Sequence, residues 1–239
     1  MKDKKLGTES LGLEYKPGEN HYRAYVGPPD NYDLISAMTF NLLTCIGLRQ
    51  FHSVLDIGCG SLRTGRLLIP YLNQKKYFGI EPNEWLVQEG IKNEIGVDMT
   101  KIKQPTFSYK TSLEEIDNSI LFDFAVAQSI FSHTGKKMLE NWLTQISEHL
   151  TDSGILLATF LHSKEDTDKE GWIYPGCVKY RPQTIAKFGR DQGFKVRFLK
   201  WYHPRQIWVA FFKEEFDEYV IKNREPSWNR WMQKYQLEK

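Results

Sequence analysis

Apolar residues fall along this chain in two alternating rhythms. Over residues 33–48 the run DLISAMTFNLLTCIGL repeats them at the spacing of a helix that packs one face. Residues 53–58, SVLDIG, are instead a short continuous apolar run closed by glycine, the pattern of a strand buried on both faces. The same alternation predicts a helix over 62–72 with Pro70 late in it, a strand over 76–82, and a helix over 83–93 with Asn83 as N-cap. A weaker strand over 106–110, a strand over 121–129 and an amphipathic helix over 135–150 follow. Asp152, Ser153 and Gly154 then predict a turn into a strand over 155–162. Alternating strands and helices imply an α/β fold, a doubly wound parallel sheet covered on both faces.

The end of the chain breaks this rhythm. Two strand-like runs, 194–203 and 206–213, are separated only by Pro204 and Arg205. So short a link cannot make a parallel crossover, so the pair is predicted to be an antiparallel hairpin, with the sixth strand beyond the seventh. The expected sheet is thus seven-stranded and mostly parallel, with a C-terminal antiparallel hairpin strand. Residues 1–32 carry Pro17-Gly18 and Gly27-Pro28-Pro29 and read as an irregular arm or lid. The main domain spans 33–213, with a lid insertion in the long connection near 162–180. The charged, Trp-bearing segment 214–239 reads as a surface helical tail broken near Pro226.

Composition narrows the partners. The 32 basic and 30 acidic side chains nearly balance, at a net charge of +2. That argues against a nucleic-acid surface, which shows a clustered basic excess. Cys45, Cys59 and Cys177 are widely spaced, so no disulfide framework and no zinc site is expected, and a cytoplasmic setting is the default. The first residues lack an apolar secretion core, and no run is long enough to span a bilayer, so no membrane partner is expected. Oligomeric state is left open.

The strongest local motif is VLDIGCGSLR, residues 54–63. Gly58 and Gly60 follow a buried strand and precede a helix, where glycine permits a tight turn and close approach of a ligand to the backbone. A dinucleotide fingerprint wants a third glycine where Arg63 stands. Asp56, beside the loop, is a poor neighbour for a diphosphate and a good one for a ligand carrying an ammonium and a sulfonium. Glu81 ends the second predicted strand, where a carboxylate can accept both vicinal hydroxyls of a ribose.

With these residues the chain resembles the class I S-adenosylmethionine-dependent methyltransferases. VLDIGCG is similar to the family's first motif, Glu81 to its acid after strand two, and FDFAVAQSIFSH to its fourth-strand motif; the terminal hairpin is a shared trait. The resemblance covers about residues 33–213 and implies a Rossmann-like fold, S-adenosylmethionine as cofactor, and contacts from Asp56, Gly58, Cys59, Gly60, Arg63, Glu81, Pro82, Gln128 and Ser129. The chain departs from the pattern at Leu62, where a third glycine is frequent, and at Thr111-Ser112-Leu113, where an acid is frequent; Ser112 is the candidate adenine contact.

Methyl transfer needs alignment, exclusion of water and, for a hydroxyl acceptor, a base. His133, His162 and His203 all fall near the carboxyl ends of strands and are the candidate bases, His133 first. A three-histidine metal site is disfavoured, because the sixth strand should lie far from the fourth. Tyr22 and Tyr25 in the arm and Trp172, Tyr174 and Arg181 around the long connection are candidates for substrate contact. A small-molecule methyltransferase favouring oxygen is the first reading. Its rivals are a small-molecule N-methyltransferase, a non-catalytic protein that binds S-adenosylmethionine as a regulator, and, more distantly, an NAD-dependent oxidoreductase.

Overall fold

The computed structural model describes residues 11–114, 116–117 and 119–213, so the expected tail over 214–239 and the first ten residues of the arm lie outside it. The chain order is α1 (Tyr22–Tyr25), a 3-10 turn (Pro29–Asn31), α2 (Tyr32–Cys45), β1 (Val54–Ile57), α3 (Gly65–Tyr71), β2 (Tyr77–Ile80) and α4 (Glu84–Gly90). A π-helical turn (Ile91–Ile95), α5 (Val97–Lys103), β3 (Thr106–Ser108), β4 (Phe122–Ala127), α6 (Lys136–His149) and β5 (Leu150–Phe160) come next. The described part ends with α7 (Pro182–Asp191), β6 (Lys195–Leu199) and β7 (Ile207–Phe212).

The seven strands form one sheet in the order β3-β2-β1-β4-β5-β7-β6. Strands β1 to β5 pair in parallel, and β7 runs antiparallel to both β5 and β6. The sheet is therefore the predicted one, with β6 outermost. Side chains alternate across it. Leu55, Ile57, Ala125, Leu156 and Phe211 pack on one face with Leu139 and Leu143 of α6 and Ile185 of α7. Val54, Phe124, Leu157 and Trp208 pack on the other with Leu42 of α2 and Leu68 of α3.

Five departures from the sequence reading have local causes. The arm is not irregular throughout: α1 packs onto the body, with Tyr22 and Arg23 buried. Strand β5 continues across the predicted turn at Asp152–Gly154, which survives as a bulge: the chain advances from Leu150 to Ile155 while β4 advances only from Phe122 to Phe124. Helix α5 was not expected because it buries no side chain and so leaves no apolar stripe. The link between β6 and β7 is residues 200–206 rather than Pro204-Arg205, since β6 ends at Leu199 and the chain then buries Trp201 and His203. Asn83 stands at the expected N-cap position of α4 but makes no side-chain capping bond, and its side-chain amide donates to Glu81.

The arm is fastened by charge. Glu94 on the π-helical turn meets Arg23 of α1 at 2.6 Å and Arg66 of α3 at 3.1 Å. Asp33 on α2 meets Arg66 at 2.6 Å and Arg23 at 3.4 Å, and the Arg23 guanidinium lies 4.5 Å from the centre of the Tyr32 ring. Arg23 and Glu94 are almost wholly buried, while Asp33 is mostly exposed.

Candidate active site

A cavity of about 560 Å³ opens where the strands β1, β2 and β4 end. Its floor begins with the turn after β1. Gly58 and Gly60 adopt φ of +64° and +54°, the left-handed region that side chains disfavour. A Cβ at Gly58 would run into Ile130 Cδ1, and one at Gly60 would lie 2.7 Å from Val26 Cγ1. The turn can therefore hold only glycine at both places while keeping the cavity open. Gly58→Val is expected to weaken nucleotide binding at least tenfold, by driving Ile130 into the cavity, and to cost about 1–3 kcal/mol of stability from the left-handed backbone. Calorimetry and thermal melting measure the two effects separately.

Glu81 follows β2 and is buried against this turn. Its Oε2 accepts the Gly60 amide at 3.1 Å, and its Oε1 accepts the Asn83 backbone and side-chain amides at 2.9 and 2.7 Å. Burial raises its pKa, and the three donors oppose that rise. The carboxylate is thus fixed in orientation, with lone pairs left to accept from a ligand.

Arg63 is buried on the far side of the turn. Its guanidinium donates to Val26 O at 2.9 Å and to Gln128 Oε1, both neutral partners. Burial pulls its pKa down to about 10, with Tyr32 and Asp56 working against that fall. A desolvated cation held by neutral groups inside a cavity is suited to an anionic group of a ligand.

His203 belongs to the same polar floor, where its Nδ1 lone pair is already taken. Its Nδ1 accepts the backbone N–H groups of Arg205 and Gln206 at 3.2 and 3.0 Å. The proton of the neutral ring must then sit on Nε2, so its 3.2 Å approach to Gln128 Nε2, itself a donor, is a contact and not a hydrogen bond. Burial, with Arg63 and Arg205 nearby, pulls its pKa down to about 3. With its Nδ1 lone pair taken by two amides and its ring held neutral, His203 is a weaker candidate base than His133.

His133, in the loop after β4, has the opposite tautomer. Its Nδ1 lies 2.5 Å from Gly176 O, and a carbonyl only accepts, so Nδ1 carries the proton and Nε2 keeps its lone pair. Burial lowers its pKa, the Gly176 carbonyl opposes the shift, and Arg205 adds to it. The ring is neutral near pH 7 and lines the cavity. Beside it stand Trp172 and Tyr174, with ring centroids 5.7 and 5.2 Å away, and Tyr174 is tied by its hydroxyl to Tyr25 O at 2.5 Å.

The structure brings Gly58, Gly60, Arg63, Glu81, Pro82, Gln128, Ser129, Tyr25, Trp172, Tyr174, His133 and His203 to one cavity. Six other candidates stand elsewhere. Asp56 lies within β1, so its side chain points across the sheet face and accepts the Tyr77 hydroxyl at 2.7 Å; burial raises its pKa to about 7. Cys59 is buried on that same side, against Gly79. Ser112 does not line the cavity, whereas its neighbour Thr111 does. Tyr22 is buried beside Glu94, to which its hydroxyl donates at 3.0 Å. Arg181 is paired with Asp166 at 2.9 Å, and His162 sits in an isolated bridge with Tyr180 away from the cavity. Gln206, missed in the sequence, lines the floor and donates to Ser129 Oγ at 2.9 Å, while its Oε1 is buried with no protein partner. No motif marks it, because it lies in a link that reads as strand. Among the described residues no cluster of three or more His, Cys, Asp or Glu is placed to hold a metal, and no helix is long and apolar enough to cross a membrane.

Residues 55–156 match the methyltransferase domain family. A magnesium protoporphyrin IX methyltransferase from Synechocystis, solved with bound S-adenosylmethionine, is 16% identical; the alignment covers 87% of this chain and 92% of that one, at a TM-score of 0.58. A glycopeptide N-methyltransferase complexed with S-adenosylhomocysteine is 14% identical over 76% of this chain and 90% of that one, at 0.56. A ribosomal-protein methylase from Lactobacillus delbrueckii is 15% identical over 75% and 79%, at 0.51. At these identities the likeness is one of fold.

Proposed function

We propose that this chain is a Rossmann-like class I methyltransferase, which uses S-adenosylmethionine to methylate a small-molecule acceptor at a hydroxyl oxygen. One observation carries the reading: a neutral histidine with its Nε2 lone pair free lines the same cavity as a glycine turn and a buried, oriented carboxylate.

The residues present fit the cofactor. Gly58 and Gly60 leave room that a Cβ would fill, Glu81 offers a fixed acceptor to the ribose hydroxyls, and Arg63 offers a buried cation to the carboxylate. The buried Oε1 of Gln206 is a further unused acceptor on the floor. When bound, the cofactor supplies a methyl group on a sulfonium that is already a good leaving group. The protein's part is to hold, align and dry the site. His133 takes the acceptor proton at Nε2, and the Gly176 carbonyl stabilises the charged ring that results. The arm residues Tyr25–Pro28 act as a wall over the nucleotide turn, and the connection 162–180 covers the acceptor end.

The test of the cofactor site is Glu81→Ala. Loss of a charged acceptor is expected to weaken S-adenosylhomocysteine binding by about 2–3 kcal/mol in a protein that still folds. Unchanged affinity removes Glu81 from the site. A panel of hydroxyl and amine acceptors, scored by release of S-adenosylhomocysteine, tests the choice of oxygen.

A further inference from the structure

The side of the cavity away from the glycine turn is built from rings that are held firmly. The strand-like stretch around Trp172 is stitched to the His133 loop by three backbone hydrogen bonds. Gly135 N donates to Gly171 O, Ile173 N to His133 O and Val178 N to Ser132 O, each at 2.8 Å. Trp172 and Thr134 form an isolated antiparallel bridge there. The backbone carrying Trp172 is thereby joined to the His133 loop, and the indole lies 5.7 Å from the His133 ring. Tyr174 lies near-parallel to it, at 20° and 6.3 Å, and is itself fixed by its bond to the backbone of the arm.

In spite of this fastening, Trp172 is 49% exposed while lining the cavity. A large ring on a fastened stretch of backbone, half uncovered where it lines a cavity, offers its face to a ligand. This is the expected state of a platform waiting for a flat ligand. The chemistry beside it agrees. His133 is held neutral and is a weakened base, because burial lowers its pKa. Such a base can relieve a phenol, whose pKa is about 10, far more readily than an aliphatic alcohol.

Resting on the methyltransferase reading above, we infer that the acceptor is a planar aromatic hydroxyl compound, its ring against Trp172 and its hydroxyl at His133 Nε2. The phenolic proton passes to Nε2 and the oxygen lone pair forms the new O–CH3 bond. The sulfur keeps the electron pair of the broken S–CH3 bond and becomes a neutral thioether. The His133 proton then leaves to solvent. Tyr174 and Tyr25 edge the slot and limit its thickness.

The experiment uses the full chain with S-adenosylhomocysteine bound, titrated by calorimetry or ligand-observed NMR with catechol and, separately, with cyclohexanol. Catechol is expected to bind up to about tenfold more tightly than cyclohexanol, the scale of an aromatic stacking contact. Trp172→Ala should weaken catechol about tenfold and leave the Kd for S-adenosylhomocysteine within about twofold, while Trp172→Phe should restore most of the loss. With radiolabelled S-adenosylmethionine the Ala variant should raise KM for catechol more than it lowers kcat. Equal binding of catechol and cyclohexanol, no catechol binding to the loaded protein, or unchanged catechol affinity in Trp172→Ala overturns the aromatic acceptor. A wild-type chain that takes up no S-adenosylhomocysteine fails at the earlier step and overturns the methyltransferase reading itself.

Discussion

Replacing His133 with alanine lowers turnover by about 10²–10⁴-fold, the range over which a positioned general base contributes. Cofactor affinity changes little, because the imidazole stands at the acceptor end and its Nδ1 is bonded to Gly176. The pH profile carries a second signature. Burial holds the His133 pKa below the ordinary histidine value of 6.5, so the wild-type base is already neutral at pH 7. Activity should be level above pH 6.5 and fall only as pH drops through the depressed value, and that acidic limb should vanish in the alanine variant. The same shift sets a stability trend. The unfolded histidine binds its proton at 6.5 and the folded one at lower pH, so this residue costs stability only below pH 6.5. Steady-state kinetics from about pH 5 to 9 on both proteins measures the profile, and thermal melting over the same range measures the stability trend. A variant that turns over at nearly the normal rate would point to an amine acceptor, which needs no such base.

Glu94→Ala is expected to destabilise the fold by about 3–5 kcal/mol, the penalty for leaving a buried charge without its partner. The residue binds Arg23 and Arg66 together, and both guanidiniums would be left with Asp33, which is mostly exposed. For a domain of this size the melting temperature should fall on the order of 10 °C. Binding should suffer as well. Arg23 belongs to α1, and the residues just after it, Tyr25 to Pro28, wall the nucleotide turn: Val26 sits against Gly60 and accepts from Arg63. A weaker affinity for S-adenosylhomocysteine should therefore accompany the loss of stability. Thermal melting with and without ligand checks both. A shift of under about 2 °C would mean that the arm is held by its apolar contacts, Tyr22 on Tyr32 among them.

How the sequence foreshadowed the site depends on the kind of signal each residue carries. Gly58, Gly60 and Glu81 were legible because glycines after a buried strand and an acid at a strand's end are positions where backbone geometry dictates residue type. Asp56 read as part of the same motif, yet strand alternation turns it across the sheet face to Tyr77. Two positions along the strand separate a side chain at the rim from one in the core, and composition does not distinguish them. His133 and His203 looked alike, and only their partners separate a carbonyl that leaves Nε2 free from two amides that occupy Nδ1. The Arg23–Glu94 pair joins residues 71 apart, and Gln206 meets Ser129 across 77. No local rhythm records such distant contacts. The alternation of strands and helices, in contrast, is local, and the parallel body with a reversed terminal hairpin was legible from it, whereas the order of the parallel strands was not.

The most direct measurement is calorimetric titration of the full chain with S-adenosylhomocysteine, repeated with NAD and with the Glu81→Ala protein. The account predicts saturable binding of S-adenosylhomocysteine with one site per chain, no heat of binding from NAD, and an affinity at least about thirtyfold weaker in Glu81→Ala, the lower end of losing a charged acceptor. Saturable binding of NAD with none of S-adenosylhomocysteine, or an equal affinity in the Glu81 variant, would contradict it.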